Sequence, residues 1–294
     1  MSETPRSRRF RTDWLRPKRL DASSFDLGWK LDDDDVMQTL VEHRPAPLLF
    51  NKGPPERIML DLERIGVLEH LRRLGYDGFS PQFAGENLFE SRFSLVGEHP
   101  EVEGACLLVD IRTHTGELKG DCPLTGQPVC LRAIVLDWLN LQDPARPLTV
   151  DRVALPGQTH PGLGIFRRAQ RLTIGYLRET DYDVAVNVPE YFHNAVLYSR
   201  YHRFFLPERQ GRFLALKRDL LSYGLGRASH ALASHDHEDR VVLQEDGSIV
   251  QWTPAEQMLG LSRSMQEYFR DARYTRAVTE EMERNHYRLV KREA

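Results

Sequence analysis

The alternation of apolar and polar positions divides the chain into helix-like and strand-like stretches. Ile58, Leu62, Ile65, Leu68 and Leu71 recur at three- or four-residue steps through Leu74, the spacing of one helix face, and Gly75 ends the run. Residues 88–96 and 105–112 have strand composition on either side of the turn-like stretch 97–104, which predicts an antiparallel pair. Residues 115–128, rich in Gly, Pro, Asp and Thr, read as a loop or hairpin excursion. A strand, or a strand followed by a helix, is expected over 129–141. A short strand at 150–155 then leads through a glycine-containing loop into a helix over 165–179. A strand at 183–188, a helix over 189–201 with Pro189 in its first turn, and a short strand at 203–206 complete this part. Phe213, Leu216, Leu220 and Tyr223 mark an amphipathic helix over 208–233. Residues 241–252 predict a hairpin turning at Asp246-Gly247. Met258, Leu261, Met265, Tyr268, Phe269 and Ala272 predict one long helix from about Thr253. Ahead of all these, residues 48–51 read as a short first strand closed by Lys52-Gly53-Pro54-Pro55.

This order predicts an α/β (α+β) fold: a mixed, mostly antiparallel sheet flanked by helices, with a mainly helical C-terminal extension. Three units are expected, a charged arm over 1–35, a sheet domain over 36–206 and the extension over 207–294. The arm carries a basic block (Arg6, Arg8, Arg9, Arg11, Arg16, Lys18, Arg19) and an acidic one (Asp32 to Asp35), which offset each other locally.

Composition removes several classes. With 294 residues, 40% hydrophobic and 28% charged, the chain can bury a sizeable core. A net charge of -3 carries no broad basic field, which argues against general nucleic-acid binding. Apolar runs such as 105–109 and 133–136 are far too short to span a bilayer, and no apolar run follows the Arg-rich start, so a cytoplasmic protein without a secretory signal is expected. Three cysteines (Cys106, Cys122, Cys130) fit a reducing compartment better than a disulfide framework.

The chemistry concentrates in one segment, where a predicted strand, the loop Gln158-Thr159-His160-Pro161-Gly162-Leu163-Gly164 and a helix follow one another. Unpaired backbone N–H groups and aligned peptide dipoles make a helix N-terminus suited to phosphate. Gly162 and Gly164 allow close approach, and Arg167, Arg168 and Arg171 on the first two turns could reach further phosphates. The segment is neither a dinucleotide fingerprint nor a P-loop. A plain structural turn with two glycines is the competing reading.

The order of the next pieces resembles the GNAT superfamily of N-acyltransferases. That family places a Gln/Arg-x-x-Gly-x-Gly/Ala loop between a strand and a helix, then a strand and a second helix with an Asn…Ala…Leu-Tyr…Phe pattern. Gln158 to Gly164 resembles the loop with one residue more, and Asn194-Ala195-Val196-Leu197-Tyr198 with Arg203-Phe204 resembles the second part. The resemblance covers about 150–206 and implies an acyl-CoA-dependent transfer to an amine. Gln158, Gly162, Leu163, Gly164, Arg167 and Arg168 would hold acetyl-CoA or another acyl-CoA, a carrier-protein thioester being the alternative donor. Tyr198 would protonate the departing thiolate, with Tyr201 its substitute, and a carboxylate, His or water would take the proton of a small-molecule or protein amine. His160 and His193 are the candidate bases nearest this segment. Two rivals remain open at this stage. One is a catalytically degenerate binding or regulatory protein of the same fold. The other is a metal-dependent enzyme using the late cluster His230, His235, Asp236, His237, Glu238 and Asp239 together with His160 or His193. A homodimer through the C-terminal helices is compatible with either.

Overall fold

The computed structural model describes residues 55–84, 90–149, 154–233 and 240–291. The charged arm, the expected strand at 48–51 and part of the expected strand at 150–155 lie outside the described residues. The predicted N-terminal helix is two helices, α1 (Pro55–Arg64) and α2 (Val67–Arg73), parted at Gly66. Four antiparallel strands follow: β1 (Asp77–Ala84), β2 (Glu90–His99), β3 (Val102–Asp121) and β4 (Pro128–Asn140). The excursion at 115–128 is therefore a hairpin in which β3 runs on to Asp121 and β4 begins at Pro128.

Helix α3 (Phe166–Leu177), β5 (Val184–Asn187), α4 (Phe192–Tyr198) and β6 (Arg203–Phe204) come next, in the expected order. Pro189 lies ahead of α4 rather than in its first turn. The predicted helix over 208–233 breaks into α5 (Pro207–Leu220), a short 3-10 turn and α6 (Leu225–Ala233). The hairpin is β7 (Arg240–Gln244) with β8 (Ile249–Val250).

The long helix expected from Thr253 is replaced by strand β9 (Gln257–Gly260), then α7 (Arg263–Arg270), α8 (Ala272–Arg284) and β10 (Tyr287–Lys291). β9 enters the main sheet between β5 and β6, giving the order β1-β2-β3-β4-β5-β9-β6, while β10-β7-β8 form a second, three-stranded sheet. The C-terminal part thus supplies an interior strand of the main sheet across the expected boundary at 206.

The interior strands alternate between two cores. Ile134, Ala185 and Leu259 face α1, α2 and α3, packed with Leu62, Leu71, Ile174 and Leu177. Ala133, Val135, Val184, Val186 and Met258 face the other way, against Phe205 and Met265 of α7. This is the two-residue period of a strand buried on both faces, as a sheet sandwiched between helices requires. A third core joins α4, α5 and α6 to the small sheet through Phe192, Phe204, Phe213 and Leu232. Against α8, Gly211 of α5 approaches Glu281 so closely that a Cβ would stand 2.7 Å from it. Glu281, buried, is held there by Arg212 Nε at 2.6 Å and Arg284 Nη1 at 3.1 Å.

Candidate functional site

The site begins where two parallel strands part. β4 and β5 pair from Ala133↔Val184 to Leu136↔Asn187, and β5 ends there. β4 continues to Asn140 against β3 alone, so its other edge is left without a strand. The β3–β4 register shifts at the same point: Leu136 faces Thr113 and Trp138 faces Arg112, leaving Asp137 unmatched. Such a bulge bends the strand and re-aims a side chain. A cavity of about 310 Å3 opens at this parting, lined by the end of β4 including Asp137, the loop at 155–164, the Asn187–Tyr191 turn and α4. Trp138, Val188 and Leu197, three of the few exposed large apolar residues, all line it. Exposed apolar surface gathered at a concavity marks binding rather than packing.

The loop is fixed by the strand exit beneath it. Gln142 Oε1 accepts from Thr159 N (3.2 Å), Thr159 Oγ1 (3.0 Å) and His160 N (2.8 Å). Asp143 N donates to the Pro161 carbonyl at 2.7 Å and Leu163 N to the Leu141 carbonyl at 2.9 Å. The hydroxyl of buried Tyr76 in turn donates to Asp143 at 2.5 Å. At the start of the loop, Gly157 has a φ of 78° and its missing Cβ would lie 2.8 Å from the Tyr191 ring, so the turn is built for glycine twice over. His70 Nε2 donates to the Leu163 carbonyl (2.8 Å) and Arg168 Nη1 to the Gly66 carbonyl (3.1 Å), tying the loop and α3 to α2 and to the turn before it.

The predicted ligand residues therefore divide. Gln158, Gly162 and Gly164 line the cleft. Leu163 does not: its side chain is core, its N–H is spent on Leu141 and its carbonyl on His70. Arg168 is likewise held by the Gly66 carbonyl, whereas Arg167 is exposed beside the cleft without contributing to its lining. α3 has no side-chain cap, and the N–H groups of Ile165, Phe166 and Arg167 meet no acceptor among the described residues. Those unpaired donors, at the positive end of the α3 dipole and next to Gly164, suit an anion.

Of the predicted catalytic residues, Tyr198 and His193 line the cleft and His160 does not. The Tyr198 ring sits edge-on between Phe166 (5.4 Å) and His202 (5.5 Å), and burial pushes its phenol well above the usual tyrosine range. Tyr201, the substitute, packs at the edge of the first core under Arg200. His193 is buried and stacked on Tyr191, and its pKa is lowered to about 4, chiefly by burial and further by His230. Ser229 Oγ accepts from the His193 backbone N–H (3.3 Å) and lies 2.8 Å from Nδ1. Either the serine hydroxyl or the ring nitrogen can donate in that contact. With its pKa so lowered the ring is neutral and does not work as a base near pH 7. His160 pairs with Thr159 Oγ1 (3.1 Å) and serves the loop.

Three cleft residues escaped the sequence reading. Asn187 is buried, yet among the described residues neither end of its amide finds a partner, and Asn140 Oδ1 is likewise orphaned. Buried amides without partners carry a cost that a bound ligand can remove. Asp137, the bulged residue, faces His114 Nδ1 at 2.8 Å. No spacing rule flags these side chains, because a strand end and a bulge leave no periodic trace.

Among the described residues no cluster of three or more metal-capable side chains occurs. His230 Nε2 donates to the Ala154 carbonyl at 2.6 Å, and the rest of the late histidine cluster lies outside the described residues. No described helix is long and apolar enough to cross a membrane. Compared with protein-family models, curated proteins and solved structures, the chain matches none.

Proposed function

We propose that the protein is an acyl-CoA-dependent N-acyltransferase that works in the cleft between β4 and β5. One observation carries the reading: an uncapped helix N-terminus and a protonated tyrosine flank a single cleft, which opens at the parting of two parallel strands. Loop, α3, β5, α4 and β6 follow the order in which the resembling family places its donor site, although the strand expected at 150–155 is not seen at Ala154 and Leu155, and β4 ends earlier, at Asn140. At about 10–15 Å3 per water-sized atom, the cavity has room for about 20 to 30 non-hydrogen atoms, the scale of a phosphopantetheine arm. The free edge of β4 beyond Leu136 offers backbone donors and acceptors to the amides of such an arm, as an added strand would use them. The pyrophosphate would meet the N-terminus of α3 beside Gly162 and Gly164, and exposed Arg167 would supply charge.

In this reading the amine nitrogen attacks the thioester carbonyl carbon and its proton passes to Asp137, oriented by His114. The carbonyl electron pair moves to oxygen, where the orphaned amide of Asn187 can donate a hydrogen bond. Collapse breaks the C–S bond, and the thiolate takes the phenolic proton of Tyr198. Acyl-CoA and amine become amide and free thiol; Asp137 gives its proton to solvent and Tyr198 takes one back from it. Burial keeps the phenol protonated at neutral pH but also makes it a weaker acid, so the transfer rests on the place of Tyr198 in the cleft and not on its pKa. The acceptor is a small-molecule or protein amine. Calorimetric titration with acetyl-CoA and free CoA tests the reading: micromolar binding supports it, and no binding of either removes it.

A further inference from the structure

A second, smaller cavity lies behind the cleft, between α3 and the face of the sheet that carries Ile134 and Ala185. It shares Leu136, Leu139, Phe166 and Tyr198 with the cleft, so the Phe166–Tyr198 ring pair stands between the two spaces. Its volume, about 50 Å3, admits about four non-hydrogen atoms by the same measure. Its wall is mostly aliphatic and aromatic; of its polar side chains Thr113 pairs with Ser91 and Thr173 lies on α3, while Gln170 and His202 each keep a buried polar atom without a partner among the described residues. Gln170 on α3 is buried and its Nε2 has no partner among the described residues. His202, just beyond α4, is buried and its Nδ1 has none either, although the Tyr198 carbonyl lies near the ring outside hydrogen-bonding geometry.

Two polar orphans facing one apolar space are unexplained by folding. A leucine and a phenylalanine there would avoid the cost of burying unsatisfied donors and acceptors, which runs to about 1–3 kcal/mol per group. A ligand that is mostly hydrocarbon but carries one polar atom would satisfy both. A hydroxyl fits best, since it accepts from the Gln170 amide and can either give to or accept from the imidazole. The length is limited too, because four atoms beyond the thioester region leave no room for a medium or long chain.

We infer that the donor is a short acyl thioester bearing a hydroxyl-type oxygen two or three carbons from its carbonyl, read in this inner cavity by Gln170 and His202. The inference rests on the acyl-CoA reading of the cleft and goes beyond it by naming the acyl class. The nearest rival, the cavity between α5 and the small sheet with Arg209 and Trp252, holds no orphaned buried group to point to a ligand.

Calorimetry with four probes tests it: free CoA, butyryl-CoA, 3-hydroxybutyryl-CoA and octanoyl-CoA. The expected result is binding of free CoA, with 3-hydroxybutyryl-CoA binding about 5- to 100-fold tighter than butyryl-CoA, the range of one buried hydrogen bond. Octanoyl-CoA should bind no tighter than butyryl-CoA. Gln170→Met, which keeps the volume, should erase the hydroxyl preference while leaving free CoA affinity unchanged, and its melting temperature should equal or exceed that of the wild type. Equal affinity for the two four-carbon thioesters, or tighter octanoyl-CoA binding, overturns the inference while leaving the cleft reading in place. Failure of free CoA and of all three thioesters removes the cleft reading itself.

Discussion

Asp137 Oδ2 lies 2.8 Å from His114 Nδ1 across the β3–β4 pair, and of the two only Asp137 lines the cleft. The bulge that leaves Asp137 without a cross-strand partner falls where β5 ends, so the strand turns a carboxylate toward the space its neighbour vacates. The imidazole behind it fixes its direction, a positioning task that fits a group receiving a proton.

Replacing Asp137 with asparagine removes the proposed acceptor for the amine proton and keeps the shape. Amide formation should fall about 100-fold at pH 7 and recover partly as pH rises, where the amine sheds its proton unaided. CoA affinity should not change. A rate that falls equally at every pH would assign Asp137 a structural role.

Tyr198→Phe keeps the edge-on ring stack with Phe166 and His202 and deletes the proposed acid. Turnover should drop by about 100-fold or more with the donor dissociation constant preserved. Unchanged turnover would pass the proton to water and leave Tyr198 as packing.

Glycines of the loop differ in what they tolerate. Gly162 has an ordinary φ, and the nearest atom to an added Cβ is the Leu141 carbonyl at 3.8 Å. Gly157 has positive φ and would collide with Tyr191. Gly157→Ala should therefore lower the melting temperature by several degrees, a cost of about 1–3 kcal/mol in strain and clash. Gly162→Ala should leave it nearly unchanged. Thermal melts of the two variants check the pair.

Acid sensitivity follows from two buried histidines. Burial lowers both His193 and His202 to about 4. An unfolded chain binds those protons near pH 6.5, so between about 6.5 and 4 the unfolded state holds more protons and stability rises with pH. Lowering the pH through that window should cost up to about 1.4 kcal/mol per pH unit for each group. His202→Phe should flatten the dependence by about half; a slope that it leaves unchanged would contradict the assignment.

The sequence exposed the architecture well where amphipathic spacing or strand composition was strong, as in α3, β5 and the hairpin at Asp246-Gly247. β1 was hidden by Gly78 and Pro81, which suit its place at the sheet edge but break a strand pattern. Over β9 the sequence predicts a helix because Met258 falls in step with Leu261 and Met265, and a four-residue buried strand carries no period of its own. The site was half legible: Tyr198, Gln158, Gly162 and Gly164 stood in a recognisable order. Asp137, Asn187 and Gln170 gain meaning only from a bulge, a strand end and a cavity. Leu163 and Arg168, placed correctly along the chain, are spent on holding the loop and α3 in position.

The most direct test of the acyl-CoA cleft is calorimetric titration of the wild type and of Gly162→Trp with acetyl-CoA and free CoA. Gly162 is exposed, lines the cleft and carries no backbone strain, so the indole fills the site without unfolding the loop. Micromolar binding by the wild type, lost in the variant at an unchanged melting temperature, is the predicted result. No binding by the wild type, or equal binding by a folded variant, would contradict a donor site between β4 and β5.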